Sequence, residues 1–163
     1  MTERLQLTTV LVPVDGSECS RYAAEHAARI AAGYGAEIVF LHAVDDVTLA
    51  ALSRHGTDAD QALLRDRLFQ RGQAYVRDAV RLTAGRARAR GRVVDGDPCA
   101  KVCEEAASSG ADLIVMGKSG RRGARGILMG SVTRRVIEST DVPVLVVTHP
   151  PRRTGSEARD TAE

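Results

Sequence analysis

The chain has 163 residues, enough for one domain with a sizeable core, and its 44% hydrophobic and 27% charged content is ordinary for a globular protein. A formal net charge of +2 gives little whole-molecule attraction to polyanions, and 3% aromatic residues with no Trp leave few stacking platforms for single-stranded nucleic acid. There is no hydrophobic signal-peptide region and no apolar stretch long enough for a bilayer, and three cysteines without a CxxC pair suit a reducing compartment, so the expectation is a cytoplasmic protein.

Thr9 to Val14 is a β-branched run ending in the turn signal Asp15-Gly16-Ser17, and reads as a first strand. Ala23, Ala24, Ala27, Ala28 and Ala31 then recur at helical spacing, and the helix stops at Gly33-Tyr34-Gly35. Ile38 to Leu41 is a second strand, apolar without alternation, as expected when both faces are covered. Asp45 to Asp58 reads as a loop with a short helical piece at Leu49 to Leu52. A long helix follows from about Asp60 to Thr83, with Leu63, Leu64, Leu68, Tyr75, Val76, Ala79 and Val80 on its apolar stripe. Gly91 to Val94 is a weak third strand, ended by Asp95-Gly96-Asp97-Pro98, and Pro98 opens a helix closed by Gly110. Leu113 to Met116 and Val144 to Val147 are the fourth and fifth strands. Strands alternating with helices predict an α/β fold. We expect a single doubly wound, Rossmann-like domain over residues 1–149 with a five-stranded parallel sheet of order 3-2-1-4-5, followed by a disordered polar tail over 150–163.

The most informative segment lies between the fourth strand and the helix after it. Gly117, Gly120 and Gly130-Ser131 follow Leu113-Ile114-Val115-Met116 and lead into Val132-Thr133-Arg134-Arg135-Val136-Ile137. Glycines let backbone N–H groups approach an anion, and a helix start adds unpaired N–H donors and a positive dipole end. The Walker pattern is not met, because the residue five before Gly117 is Asp112, so Lys118 is not a phosphate-gripping Walker lysine. The dinucleotide fingerprint G-x-G-x-x-G is also absent after every strand. In a 3-2-1-4-5 sheet the ligand crevice opens between the first and fourth strands, with Asp15 on one side and Met116-Gly117 on the other. Asp15 there has two readings, an acceptor for ribose hydroxyls or a turn former and cap; beside the glycine loop we favour the first. Ser131 likewise reads as an N-cap, a phosphate contact, or both. Lys118, Arg121, Arg122 and Arg125 read as solvated charge, some of it available to phosphates. Cys99 and Cys103 sit four apart on a helix without further ligands nearby, and read as small, partly buried thiols. The four histidines form no triad with a nucleophile and an acid.

The glycine pattern resembles the nucleotide motif of the universal stress protein family, specifically its ATP-binding branch. The resemblance extends to Val10-Leu11-Val12-Pro13-Val14-Asp15-Gly16-Ser17, to Gly96-Asp97-Pro98, to Ala111-Asp112-Leu113-Ile114-Val115-Met116-Gly117 and to Val142-Pro143-Val144-Leu145-Val146-Val147, about residues 6 to 148 in all. It implies that Pro13, Val14 and Asp15 contact adenine and ribose, and that Val44 touches adenine through its backbone. It implies that Met116 and Gly117 border the ribose and α-phosphate, and that Gly120, Gly130, Ser131 and Val132 hold phosphates. The implied ligand is ATP, with Mg²⁺ as an optional companion, and the implied assembly is a homodimer through the fifth strand. No general base stands beside the loop, so the reading is a stress-response regulator with at most slow ATP hydrolysis, with no catalytic and no metal-ligand residue assigned. Two alternatives stay open: an adenine-nucleotide α-hydrolase or adenylate-transferring enzyme of related fold, and a dimeric interaction module that ignores nucleotides.

Overall fold

Small and β-branched side chains decide how closely the layers of this protein approach. The computed structural model describes residues 6–45, 57–119 and 129–148. Its elements are β1 (Thr9–Pro13), α1 (Glu18–Tyr34), β2 (Glu37–Val44), α2 (Asp58–Thr83), β3 (Arg88–Asp95), α3 (Pro98–Ser109), β4 (Leu113–Gly117), α4 (Ser131–Ser139) and β5 (Val144–Val147). The expected helical piece at Leu49 to Leu52, the loop residues Gly120, Arg121, Arg122 and Arg125, and the 150–163 tail lie outside the described residues. The strands form one parallel sheet of the expected order, β3-β2-β1-β4-β5.

Each inner strand buries both of its faces. Val10, Val12, Ile38, Phe40 and Val115 point to the side covered by α1 and α2, where the alanine stripe of α1 meets Val76 and Ala79 of α2. Leu11, Val39, Leu41, Ile114 and Met116 point to the other side, against Val102 and Ala106 of α3 and Val136 of α4. This explains why the strands read as continuous apolar runs.

Several boundaries differ from the sequence reading, and strand β2, expected at Ile38 to Leu41, runs from Glu37 to Val44. Helix α2 starts at Asp58 because Thr57 and Asp60 form a reciprocal cap: Asp60 N–H donates to Thr57 Oγ1 at 3.3 Å and Thr57 N–H donates to Asp60 at 2.9 Å. Strand β3 is twice the expected length, pairing with β2 from Arg88 to Asp95. Its arginines hid it. Arg90 and Arg92 both reach the buried Glu105 of α3, at 3.9 and 2.7 Å, so this charged stretch is an edge strand tied to a helix.

The start of β1 is tied to the start of β4 by Asp112. Its Oδ2 accepts from Thr8 N–H at 2.7 Å, Thr8 Oγ1 at 2.8 Å and Thr9 N–H at 3.0 Å. These donors, the Thr8 amide foremost, hold the Asp112 carboxyl below the usual carboxylate range. A depressed carboxylate pKa stabilises the fold above the unfolded-state pKa, and that contribution is lost as pH falls through the folded value. Replacing Asp112 with Ala should lower urea stability by about 1 kcal/mol at pH 7. The gap to the parent should close below about pH 4; a gap that does not change with pH would refute this role.

Candidate functional site

The chain steps from β1 to β2 and β3 in one direction and from β4 to β5 in the other, so the winding reverses between β1 and β4. In such sheets a crevice opens beyond the carboxyl ends of the two strands at the reversal. The register Val10 to Leu113 and Leu11 to Ile114, continued by two residues, sets Pro13 level with Met116. Pro13, Val14 and Asp15 therefore border the crevice from one side, and Met116 and Gly117 from the other.

On the β1 side the turn is heavily hydrogen-bonded. Asp15 Oδ1 accepts from Ser17 N–H at 3.0 Å, and Ser17 caps α1 by accepting from Ser20 N–H at 3.1 Å. Asp15 is thus a turn former, and Ser17 is the cap. A carboxylate accepts at about four sites, so the turn bond does not exhaust Asp15. Val14 is buried, its N–H donating to Leu41 O at 2.8 Å and its carbonyl lying 2.7 Å from His42 Nδ1. Val44, buried at the end of β2, accepts Gly96 N–H at 3.0 Å. Each of these carbonyls has two lone pairs, so both have acceptor capacity beyond these bonds.

On the β4 side the glycine at 117 is a packing requirement. A Cβ there would lie 2.8 Å from the Cys19 carbonyl carbon and 2.9 Å from its oxygen, both backbone atoms of the first turn of α1. Lys118 N–H donates to Val147 O and Gly130 N–H donates to Lys118 O, each at 2.8 Å, so the segment between Lys118 and Gly130 leaves and returns at one point. Thr133 Oγ1 donates to Gly117 O at 3.0 Å and fastens the first turn of α4 to the end of β4. Cys19 Sγ lies 3.6 Å from Ser119 Oγ, linking α1 to the same segment.

Gly130, not Ser131, is the N-cap of α4, and it makes no side-chain cap bond; Ser131 is the first helical residue. The capping reading of Ser131 is therefore corrected. The Gly130 N–H is engaged by Lys118, and the Gly130 carbonyl takes Arg134 N–H at 3.0 Å. The amides of Ser131 and Val132 fall among those that a helix start leaves without intrahelical acceptors. The side chains of Met116 and Val132 pack into the core on the α3 and α4 side. These two residues face the crevice with backbone only.

Three contributors escaped the sequence reading: His42, Thr133 and the pair Asp97–Arg135. Arg135 of α4 grips Asp97, the N-cap of α3, through two bonds of 2.8 and 3.0 Å. The guanidinium, with help from Ala100 N–H, holds the Asp97 carboxyl below the usual range. The pair sets the starts of α3 and α4 side by side at the carboxyl edge of the sheet. The Cys103 thiol is pushed up by burial and by neighbouring Cys99, and Cys19, Cys99 and Cys103 are all free. A second groove, of about 660 Å³, lies behind the Val14 to Ser17 turn, between α1 and α2. No described helix is long and apolar enough to cross a membrane.

A doubly wound parallel sheet, with a strand-end carboxylate and a glycine segment running into a helix at its switch point, places this chain among α/β proteins of nucleotide-binding architecture. The sequence model of the universal stress protein family matches residues 7–148, and the chain belongs to that family. It is 34% identical over 142 residues to universal stress protein MJ0531 of Methanocaldococcus jannaschii, covering 86% of this chain and 82% of that one. It is also 34% identical to a universal stress protein of Mycolicibacterium smegmatis, where 85% of this chain spans 45% of the relative. Against mycobacterial relatives of that kind, the chain corresponds to about half the length. The fold matches that of the MJ0577 protein with a TM-score of 0.78 at 24% identity, over 90% of this chain and 99% of that one. A universal stress protein solved in complex with cAMP matches with a TM-score of 0.58 at 26% identity, over 88% and 98%.

The packing at Gly117 yields a direct test. Because the obstruction is backbone, Gly117→Ala forces α1 away from β4 and should cost about 1–3 kcal/mol in urea unfolding. An unchanged denaturation midpoint would show that the close approach of Cys19 is not obligatory.

Proposed function

We propose that this protein binds ATP in the crevice between the Val14–Asp15 strand end and the Gly117 to Ser131 segment, and acts as a nucleotide-dependent regulator in a stress response. The observation that carries the proposal is the convergence of a strand-end carboxylate, Asp15, with the amides of Ser131 and Val132 at the same sheet edge. The cAMP complex of a related protein supports an adenine nucleotide in this fold. Asp15 accepts from the ribose hydroxyls. Phosphate oxygens are received by the amides of Ser131 and Val132 and by the Ser131 hydroxyl at the start of α4, where the missing side chain of Gly130 leaves them room, with Gly120 as a further phosphate contact. Met116 and Gly117 border the ribose and α-phosphate with backbone, and Pro13 forms the wall next to adenine. The described residues hold no group of three His, Cys, Asp or Glu side chains arranged for a metal, so Mg²⁺ would ride mainly on phosphate and water oxygens. Free thiols at Cys19, Cys99 and Cys103 suit the reducing cytoplasm, where we place the protein.

The base is read by acceptors. The carbonyls of Val14 and Val44 suit the exocyclic amino group of adenine, whereas guanine offers a carbonyl oxygen at that position and would meet them acceptor to acceptor. Gly130 has φ −62° and ψ 147°, extended values open to any residue, so Gly130→Val keeps the fold while placing a branched side chain beside the Ser131 amide. Isothermal calorimetry should show ATP binding more tightly than GTP, and Gly130→Val should weaken ATP by at least about tenfold. Undiminished ATP affinity in a folded Gly130→Val protein would remove the proposed phosphate site. Equal affinity for ATP and GTP would remove the adenine assignment alone.

The same proposal includes a homodimer through β5, which is an edge strand. Val144 packs against the core cluster on the α3 and α4 side, but Leu145 is 38% exposed. An apolar edge needs a cover, and self-pairing about a two-fold axis supplies one. Light scattering should find a dimer at micromolar concentration and a monomer for Leu145→Glu. A monomeric parent protein would overturn this interface.

A further inference from the structure

His42 occupies a position that the nucleotide reading does not use. It lies on the face of β2 that packs against α2, and its ring is held between two elements. Its Nδ1 is 2.7 Å from the Val14 carbonyl oxygen. A carbonyl only accepts, so Nδ1 carries the proton of that bond. From the other side α2 closes on the ring. A Cβ at Gly72 would come within 2.4 Å of His42 Cδ2, so only glycine admits the helix this closely. Tyr75, one turn along α2, meets the imidazole edge-on with centroids 5.4 Å apart. The same Tyr75 ring covers Gly16, where a Cβ would come within 2.3 Å of it. Helix α2 therefore clamps His42 and the β1–α1 turn together.

The consequence falls on one peptide unit, the one joining Val14 to Asp15. Its carbonyl receives the His42 N–H, and its own N–H points to Ser20 Oγ at 3.4 Å. With both ends held, the plane of that peptide is set, and with it the direction in which Asp15 projects its side chain. The bond from Ser17 N–H to Asp15 Oδ1 at 3.0 Å then restricts the carboxylate itself. We propose that His42 is a positioning residue of the nucleotide site: by fixing the Val14–Asp15 peptide it aims the Asp15 carboxylate at ribose hydroxyls, and so sets the preference for ribonucleotides over their deoxy counterparts. The proposal rests on the adenine-nucleotide reading above. A histidine that served only to fill space between β2 and α2 would affect all ligands alike.

The test compares ATP with 2′,3′-dideoxy-ATP by calorimetry in the parent protein, His42→Leu, His42→Asn and His42→Gln, together with ¹⁵N NMR of the imidazole in ligand-free parent protein. The Asn amide places an N–H where Nδ1 stands; the longer Gln side chain does not. The NMR spectrum should show the proton on Nδ1. The parent should prefer ATP by about tenfold or more, the scale of one hydrogen bond to a charged group. His42→Leu should bring the ratio close to one by weakening ATP more than dideoxy-ATP, which shares only the adenine contact at the Val14 carbonyl, and His42→Asn should restore most of it. If His42→Leu fails to fold, the comparison of Asn, which should keep the ratio, with Gln, which should lose it, decides the matter. A proton on Nε2, an unchanged ratio in the variants, or an equal loss for both ligands would overturn the positioning role. A parent that binds both ligands equally well would also overturn it while leaving the nucleotide site standing. A parent that binds neither would remove the nucleotide reading and this inference with it.

Discussion

Strand β1 is held on all four sides, and the rest of the molecule is arranged around that confinement. It is hydrogen-bonded to β2 on one edge and β4 on the other, and covered by α1 on one face and by the α3 and α4 layer on the other. A strand in that position has no freedom to slide, since a shift of one residue would exchange its two buried faces. Its carboxyl end is therefore a fixed point. The turn that follows, Val14 to Ser17, starts from that fixed point and adds its own hydrogen bonds, so the Asp15 carboxylate is borne by a well-tied segment.

The opposite wall is fixed by different means. Here the backbone bonds of Lys118 bring the end of β4 and the start of α4 together, with Gly130 N–H donating to Lys118 O. Thr133 then ties the helix back to Gly117. Because α1 packs on β4 with alanines and with the backbone of Cys19 against Gly117, the two walls are in direct contact at their base. Polar ties outside the crevice do related work. Asp97 and Arg135 align two helix starts, and Glu105 draws the arginines of an edge strand onto α3. The side chains of Met116 and Val132 complete the core, so these two positions present only peptide groups to the crevice.

Most of the sheet was legible from periodicity, because a doubly covered parallel strand has an apolar signature that few other elements share. The alanine stripe of α1 and the glycines at 35 and 110, both at positive φ at helix ends, were equally plain. The misreadings have local physical causes. At β3, Arg90 and Arg92 concealed a strand because their shared partner, Glu105, belongs to a later helix. At α4, Ser131 looked like a cap by residue type, but the chain turned into the helix one residue earlier, at Gly130. Thr57 and Asp60 formed a capping box with Asp in the place usually taken by Glu or Gln.

By itself the sequence determined the order of elements, the parallel direction of the sheet and the residue types at the carboxyl ends of its strands. Those properties follow from local patterning: periodicity, turn residues and the chirality of crossovers act over a few residues and need no knowledge of distant partners. Only the tertiary structure decided which backbone groups at the site are already engaged, that glycine at 117 answers to Cys19, and that His42 reaches the Val14 carbonyl from 28 residues away. These depend on contacts between elements remote in the chain, set by how closely α1 and α2 settle on the sheet. Packing of that kind is a property of matched surfaces, and it leaves no periodic trace in either partner alone.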